Sequence, residues 1–241
     1  MLIDTQTSLA DLVVADPRRG DVLEHFGLDY CCHGHRSLAD AARAAGLDPD
    51  EVGHALELPV PDGPPAPSGT GGNTAGGNAA LAHEIVDTHH AYLWREMPRL
   101  QALVEKVHVV HGERHPELAE VAATFAQVLA SLDPHLSREE RQVFPAITRL
   151  ERSGRPDGEL AGQIDTLRAE HGAVGILLTR LRTLTGGYAV PPDACASYRM
   201  MLAGLQEMEA DLHQHIHKEN NILFPQVLDL ARQAGQGPAA G

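Results

Sequence analysis

The sequence predicts an all-α protein, an antiparallel four-helix bundle preceded by a small helical domain. Apolar residues recur at i, i+3, i+4 and i+7 along four long stretches, as at Ile164, Leu167, Val174, Leu177, Leu178 and Leu181. Gly154, Pro156, Gly186, Gly187 and Pro191-Pro192 punctuate those stretches at short intervals, which implies neighbouring helices running antiparallel. Alanine and leucine abound while aromatics make up only 4% of the chain, a balance that favours helices over a β-sandwich or barrel.

Residues 1 to about 58 read as four short helices. Ser8 caps the first, Leu9 to Ala15, which ends before Pro17. The second, about Arg18 to Phe26, carries Val22, Leu23 and Phe26 on one face and stops at Gly27. After Asp29-Tyr30-Cys31-Cys32-His33-Gly34-His35, Ser37 caps a third helix, and Pro49 starts a fourth that ends near Leu58. Such a short segment has a thin core and reads as a satellite domain. From 59 to 79 no apolar period survives, and proline gives way to glycine, so this stretch reads as a flexible linker. The bundle then occupies 80–235, with helices expected at about 80–110, 117–152, 158–185 and 192–234.

Charge and cysteine content narrow the function. The formal net charge of −14 argues against nonspecific nucleic-acid binding and against docking on an anionic membrane. No apolar run reaches the roughly 20 residues of a membrane-spanning helix, and the N-terminus lacks the basic and apolar regions of a signal peptide, so the expected compartment is the cytoplasm. Three cysteines, Cys31, Cys32 and Cys195, make no disulfide framework. No phosphate-binding glycine loop, nucleophile elbow or Ser-His-Asp pattern appears, which leaves hydrolase and kinase readings without support.

The chemistry lies in an internal repeat. His135-Leu-Ser-Arg-Glu139 is followed by Phe144-Pro145, and His215-Ile-His-Lys-Glu219 by Phe224-Pro225, so both copies read H-x3-E-x4-F-P. His90 and His171 precede the two copies at nearly equal distance. The bundle therefore reads as two helical hairpins, each offering one His from its first helix and His-x3-Glu from its second. Residues i and i+4 share a helix face roughly 5–6 Å apart, so each pair can grip neighbouring positions of one metal cluster. Imidazole and carboxylate without thiolate suit iron or manganese better than a soft metal. If Glu139 and Glu219 each bridge two metals, every metal has four protein bonds and keeps room for a bridging oxygen and one small ligand. The phenylalanines are expected to pack and Pro145 and Pro225 to kink or end their helices, while Pro134 should distort the second long helix.

The remaining histidines and acids have readings of their own. His83 lies seven before His90 on nearly the same face and is placed near the cluster, together with Glu170 beside His171. His89, His213 and His217 point elsewhere. His108, His111 and His115 read as a solvated turn, Glu140 as surface, and Cys195 as a small buried residue near a helix start.

These motifs resemble the di-iron iron–sulfur cluster repair proteins of bacteria (the RIC or ScdA type), and the resemblance covers nearly the whole chain. Asp29-Tyr30-Cys31-Cys32-His33-Gly34 looks like their Tyr-Cys-Cys-x-Gly signature, and the surroundings of His90, His135, Glu139, Glu170-His171, His215 and Glu219-Asn220-Asn221 are similar to those of their iron ligands. The resemblance implies a hemerythrin-like bundle holding two non-haem irons, oxo- or hydroxo-bridged, on His90, His135, Glu139, His171, His215 and Glu219, with the two glutamates bridging. It implies repair of clusters damaged by nitrosative or oxidative stress, with iron supplied to damaged iron–sulfur proteins. A nitric oxide-binding or nitric oxide-reducing enzyme, and a hemerythrin-like sensor or carrier of dioxygen or nitric oxide, are the other readings that the family allows. The sequence leaves a homodimer open.

The chain departs from the family in its longer linker, in Ser131 where an acid is usual, and in His33 and His35 where glycine and lysine are common. Ser131 leaves Glu170 as the main candidate carboxylate besides the two bridges. Cys31 and Cys32 are adjacent, which makes joint grip on one metal awkward and a disulfide between them strained. Near two histidines they are candidates for redox or partner handling.

Overall fold

The computed structural model describes residues 3–58 and 76–235, and among the described residues it is helical without a strand. The predicted linker at 59–79 lies mostly outside the described residues, and its last residues already belong to a helix beginning at Gly77. Packing divides the chain into two compact units: one comprises the chain up to Leu81 together with the stretch from His213 onward, the other is Ala82–Leu212.

The first unit opens with four helices of two turns each, α1 (Leu9–Ala15), α2 (Arg19–His25), α3 (Leu38–Ala44) and α4 (Pro49–Ala55). Their starts are where the sequence puts them. Ser8 Oγ accepts the backbone N–H of Asp11, Ser37 Oγ that of Asp40, and Asp48 that of Asp50 ahead of Pro49. Each cap satisfies a donor that has no partner within the helix, and contributes about 1 kcal/mol. The entries to α1 and α3 lie side by side, with Leu9 N–H bonded to Arg36 O and Leu38 N–H to Thr7 O, both at 2.9 Å. Beneath them Leu9, Leu12, Leu23, Leu38, Tyr30 and Cys31 form a buried core, and Ile216 from near the chain's end joins it. Helices this short do not hold in water alone, so this shared core is what keeps them folded.

The second unit contains the greater part of a four-helix bundle. The chain rises through α5 (Gly77–Ile85) and α6 (Ala91–His111), returns through α7 (Glu117–Arg138) and α8 (Phe144–Ser153), rises again in α9 (Leu160–Leu184) and enters α10 (Ala196–His217). Leu100, Val104, Phe125, Val128, Leu178 and Leu205 come from the four sides of one continuous core. Burying each such side chain contributes about 1.5–3 kcal/mol. At Gly204 an added Cβ would stand 2.4 Å from Leu100 Cδ2, so glycine there is what lets α6 and α10 approach closely.

Three π turns interrupt the long helices: Val86–His90, Glu139–Val143 and Lys218–Leu223, the last followed by α11 (Phe224–Gly235). Each carries a candidate ligand, namely His90, Glu139 or Glu219. Pro145 and Pro225 were expected to kink or end their helices. Instead each is the second residue of the helix resuming after a π turn. The wider turn moves the carbonyl against which a proline ring would clash, and the helix runs on. Pro98 and Pro134 lie inside α6 and α7, and both helices continue through them.

Candidate metal centre

In the second unit three histidines converge on one glutamate. Glu139 opens its π turn and is fully buried, as is His90, while His135 and His171 are 3% and 2% exposed. His90 Nε2 lies 3.4 Å from Glu139 Oε2 and His135 Nε2 3.2 Å from Glu139 Oε1. His171 Nε2 is 3.1 Å from His135 Nε2 and 4.0 Å from Glu139 Oε1. The donor atoms of His135, Glu139 and His171 all fall within 4.8 Å of one another, close enough to share one ion.

The outer nitrogens explain the orientation of the rings. His90 Nδ1 is 3.0 Å from Glu140 Oε1, which also accepts the indole N–H of Trp94 at 2.8 Å. His135 Nδ1 is 2.8 Å from Glu170 Oε2, whose other oxygen accepts from Arg138 at 2.6 Å. Burial pushes the Glu170 carboxyl up, but the hydrogen bonds from His135 and Arg138 win and hold it below the usual carboxylate range. A carboxylate at Nδ1 draws the ring proton to that side and turns the Nε2 lone pair inward. Acceptor then faces acceptor around the buried Glu139, an arrangement that a cation at the point of convergence stabilises. Imidazole and carboxylate in this mixture fit iron.

In the first unit, the second motif has the same internal geometry. His215 Nε2 lies 3.2 Å from Glu219 Oε1, and both side chains are buried. The residues around it are tied to the Tyr-Cys-Cys segment. Asn221 Nδ2 donates to Tyr30 O at 3.2 Å and Cys31 O at 3.0 Å, and Asn220 Nδ2 reaches Cys31 O at 3.4 Å. Gln214 donates to Tyr30 Oη, which in turn donates to Glu24, and His213 Nδ1 meets the same Glu24 at 3.0 Å. His217 packs edge-on against Tyr30, and burial lowers its pKa to about 4, so it is neutral at pH 7. The positive charge of the neighbouring Lys218 pushes in the same direction.

Several sequence expectations shift. Glu140, read as surface, is half-buried and holds His90. Nothing in the spacing announces this, because Glu140 lies fifty positions from its partner and meets it only through tertiary packing. His83 is exposed, and the π turn between it and His90 rotates the two off a common face. Cys195, expected to be buried, is exposed, and its Sγ lies 3.1 Å from Nε2 of the buried His111. His111 and His115 are not a solvated turn: His115 bridges Glu117 and Asp193 at 3.1 and 3.0 Å, because the segment entering α10 folds over them. His89 and His213 do point elsewhere, to Asp211 and Glu24. Ser131 bonds its own helix at Gln127 O and supplies no carboxylate.

Comparison with known proteins agrees with this chemistry. Residues 81–227 match the hemerythrin HHE cation binding domain, and residues 5–59 match a domain of unknown function, DUF542. The iron–sulfur cluster repair protein YtfE of Yersinia pestis is 34% identical over 221 residues, covering 92% of this chain and 96% of that protein. YtfE of Musicola paradisiaca is 34% identical over 223 residues, with the same shares covered. YtfE of Yersinia pseudotuberculosis is 33% identical over 221 residues. No helix among the described residues is long and apolar enough to cross a membrane. With a hemerythrin-type bundle, a buried His/Glu cluster that fits a di-iron centre, and identity along nearly its whole length, the chain belongs to the YtfE family of iron–sulfur cluster repair proteins.

Proposed function

We propose that this protein holds two non-haem irons on His90, His135, Glu139, His171, His215 and Glu219, and that it repairs iron–sulfur clusters damaged by nitrosative or oxidative stress by supplying iron. The observation that carries the proposal is the buried convergence of His90, His135 and His171 on Glu139. The second motif repeats the His-x3-Glu geometry at the same 3.2 Å, which supports His215 and Glu219 as the remaining two of the six ligands. Their relatives' names supply the repair function. By the resemblance, Glu139 and Glu219, each with two carboxylate oxygens, would be the carboxylates shared between the irons.

Bound iron would supply Lewis acidity, electron transfer and an open position for a small ligand such as nitric oxide or dioxygen. The protein's own part is to orient and to exclude. Glu140 and Glu170 hold the Nδ1 protons of His90 and His135 and keep both Nε2 atoms basic. The apolar core around them keeps bulk water away. Residues 1–58 are assigned as the cysteine-bearing domain and 80–235 as the iron domain, with the linker expected at 59–79 ending where α5 begins at Gly77.

The test is a metal count on anaerobically purified protein. About two irons per chain, with marked loss in His135→Ala and in Glu219→Ala, is the expected result. The loaded protein should then restore activity to a cluster enzyme damaged by nitric oxide, losing iron in proportion. Iron that stays bound while nitric oxide is consumed with an electron donor would replace the supply reading with an enzymatic one. A parent without iron would overturn the ligand assignment.

A further inference from the structure

A second set of metal-binding atoms, on residues other than the His/Glu cluster, converges in the turn after α2. Cys31 Sγ and Cys32 Sγ stand 3.7 Å apart, and Cys31 Sγ lies 3.2 Å from Asp29 Oδ1. Donor atoms of all three residues fall within 4.8 Å of one another. Two thiolates on one tetrahedral cation, each at about 2.3 Å, stand about 3.8 Å apart. The expected difficulty with adjacent cysteines is therefore relieved in this turn, and the backbone shows how. Asp29 Oδ1 accepts the N–H groups of Cys31, Cys32 and His33 at 3.1, 2.8 and 3.4 Å, which folds the three residues around one carboxylate and turns both thiols to the same side. Gly34 closes the turn: a Cβ there would lie 2.3 Å from Tyr30 O and 2.9 Å from Asn221 Oδ1, so no other residue fits without displacing backbone. Asn221 and Asn220 hold the Cys31 carbonyl from the other side.

We propose that Asp29, Cys31 and Cys32 bind one thiophilic divalent cation, of the zinc and cadmium class, at a site separate from the His/Glu centre. Cys31 is buried, Cys32 half-buried and Asp29 exposed, so the site has a closed floor and an open side for entry and for a completing water. The Cys31 thiol now points its proton at Asp29 Oδ1, along the line that the cation would take. Binding forms two metal–thiolate bonds and one metal–carboxylate bond, and releases two thiol protons to solvent without any change of oxidation state. Thiolate donors select a soft cation, while the imidazole and carboxylate cluster selects a harder one, so the two sites sort metals by chemistry.

The test is a cadmium titration of the full-length chain, purified anaerobically and kept reduced, followed by the ultraviolet thiolate-to-cadmium charge-transfer band, proton release and iron content. One equivalent of cadmium should raise the band, release two protons and leave the iron count unchanged. Cys31→Ser and Cys32→Ser should each abolish the band, and Cys195→Ser should leave it as in the parent. Asp29→Asn keeps an oxygen that can accept the three N–H bonds, so the fold should survive by far-ultraviolet dichroism while cadmium affinity falls at least about tenfold. A parent without the band, a band that persists in both cysteine variants, iron displaced by the first equivalent, or Asp29→Asn binding as tightly as the parent would each overturn the site.

Discussion

The two His-x3-Glu motifs have the same internal distance and quite different surroundings. His135 and Glu139 are backed by charge: Glu170 and Arg138 stand behind His135, and the neighbouring His90 rests on Glu140 and Trp94. His215 and Glu219 are flanked by neutral amides, Gln214, Asn220 and Asn221, which tie Tyr30 and Cys31. A carboxylate behind an imidazole raises its basicity as a ligand, whereas an amide bonded to a backbone carbonyl fixes position and leaves the electronics alone. The first motif thus has charge behind its imidazoles. The second is built so that whatever moves the cysteine segment is felt one residue away from Glu219.

The largest expected effect falls on both motifs alike. Glu139→Ala and Glu219→Ala should each drop iron from about two per chain to below one, measured by elemental analysis. Retention of iron in one of them alone would break the equivalence of the two copies. Next, Glu140→Gln and Glu170→Gln should weaken metal binding by about 10–100-fold, read by competition with a chelator. Asn220→Ala should not change the iron count, and an equal loss there would remove the contrast drawn between charge and amide. Asn221→Ala deletes the bonds to Tyr30 O and Cys31 O. It should cost about 1–2 kcal/mol in chemical denaturation and speed alkylation of Cys32 severalfold, with iron unchanged. The smallest change is Ser8→Ala. It removes the cap of α1 and should lower stability by about 1 kcal/mol, with thiol reactivity and iron both as in the parent.

Much of this was legible in the chain because it is local. The caps at Ser8 and Ser37, the bundle helices and the H-x3-E repeat all follow from spacings of a few residues, which helical geometry converts directly into shared faces. Glu170 was readable too, since it adjoins His171. Glu140 was not: on a regular helix the residue after a buried ligand turns outward, and its bond to His90 depends on how two helices meet. The same holds for His111 and Cys195, which are eighty-four positions apart. The π turns were also invisible, for their hydrogen-bond pattern leaves no mark in the apolar period. Pro145 and Pro225, which read as helix breakers in the sequence, are the nearest signs of them.

Those π turns carry a consequence for how this family can lengthen or shorten its helices. A π turn holds one residue more than the α-helix it interrupts, and one residue is about 100° of rotation. Removing a single residue from Glu139–Val143 would leave a continuous, hydrogen-bonded α-helix, so folding alone would tolerate the loss. Yet while the flanks kept their places, the residues within the turn would rotate by up to about that angle, drawing Glu139 off the face where it meets His90. The helix would survive its deletion and the centre would not, which makes the spare residue in each π turn a mark of chemistry rather than of architecture.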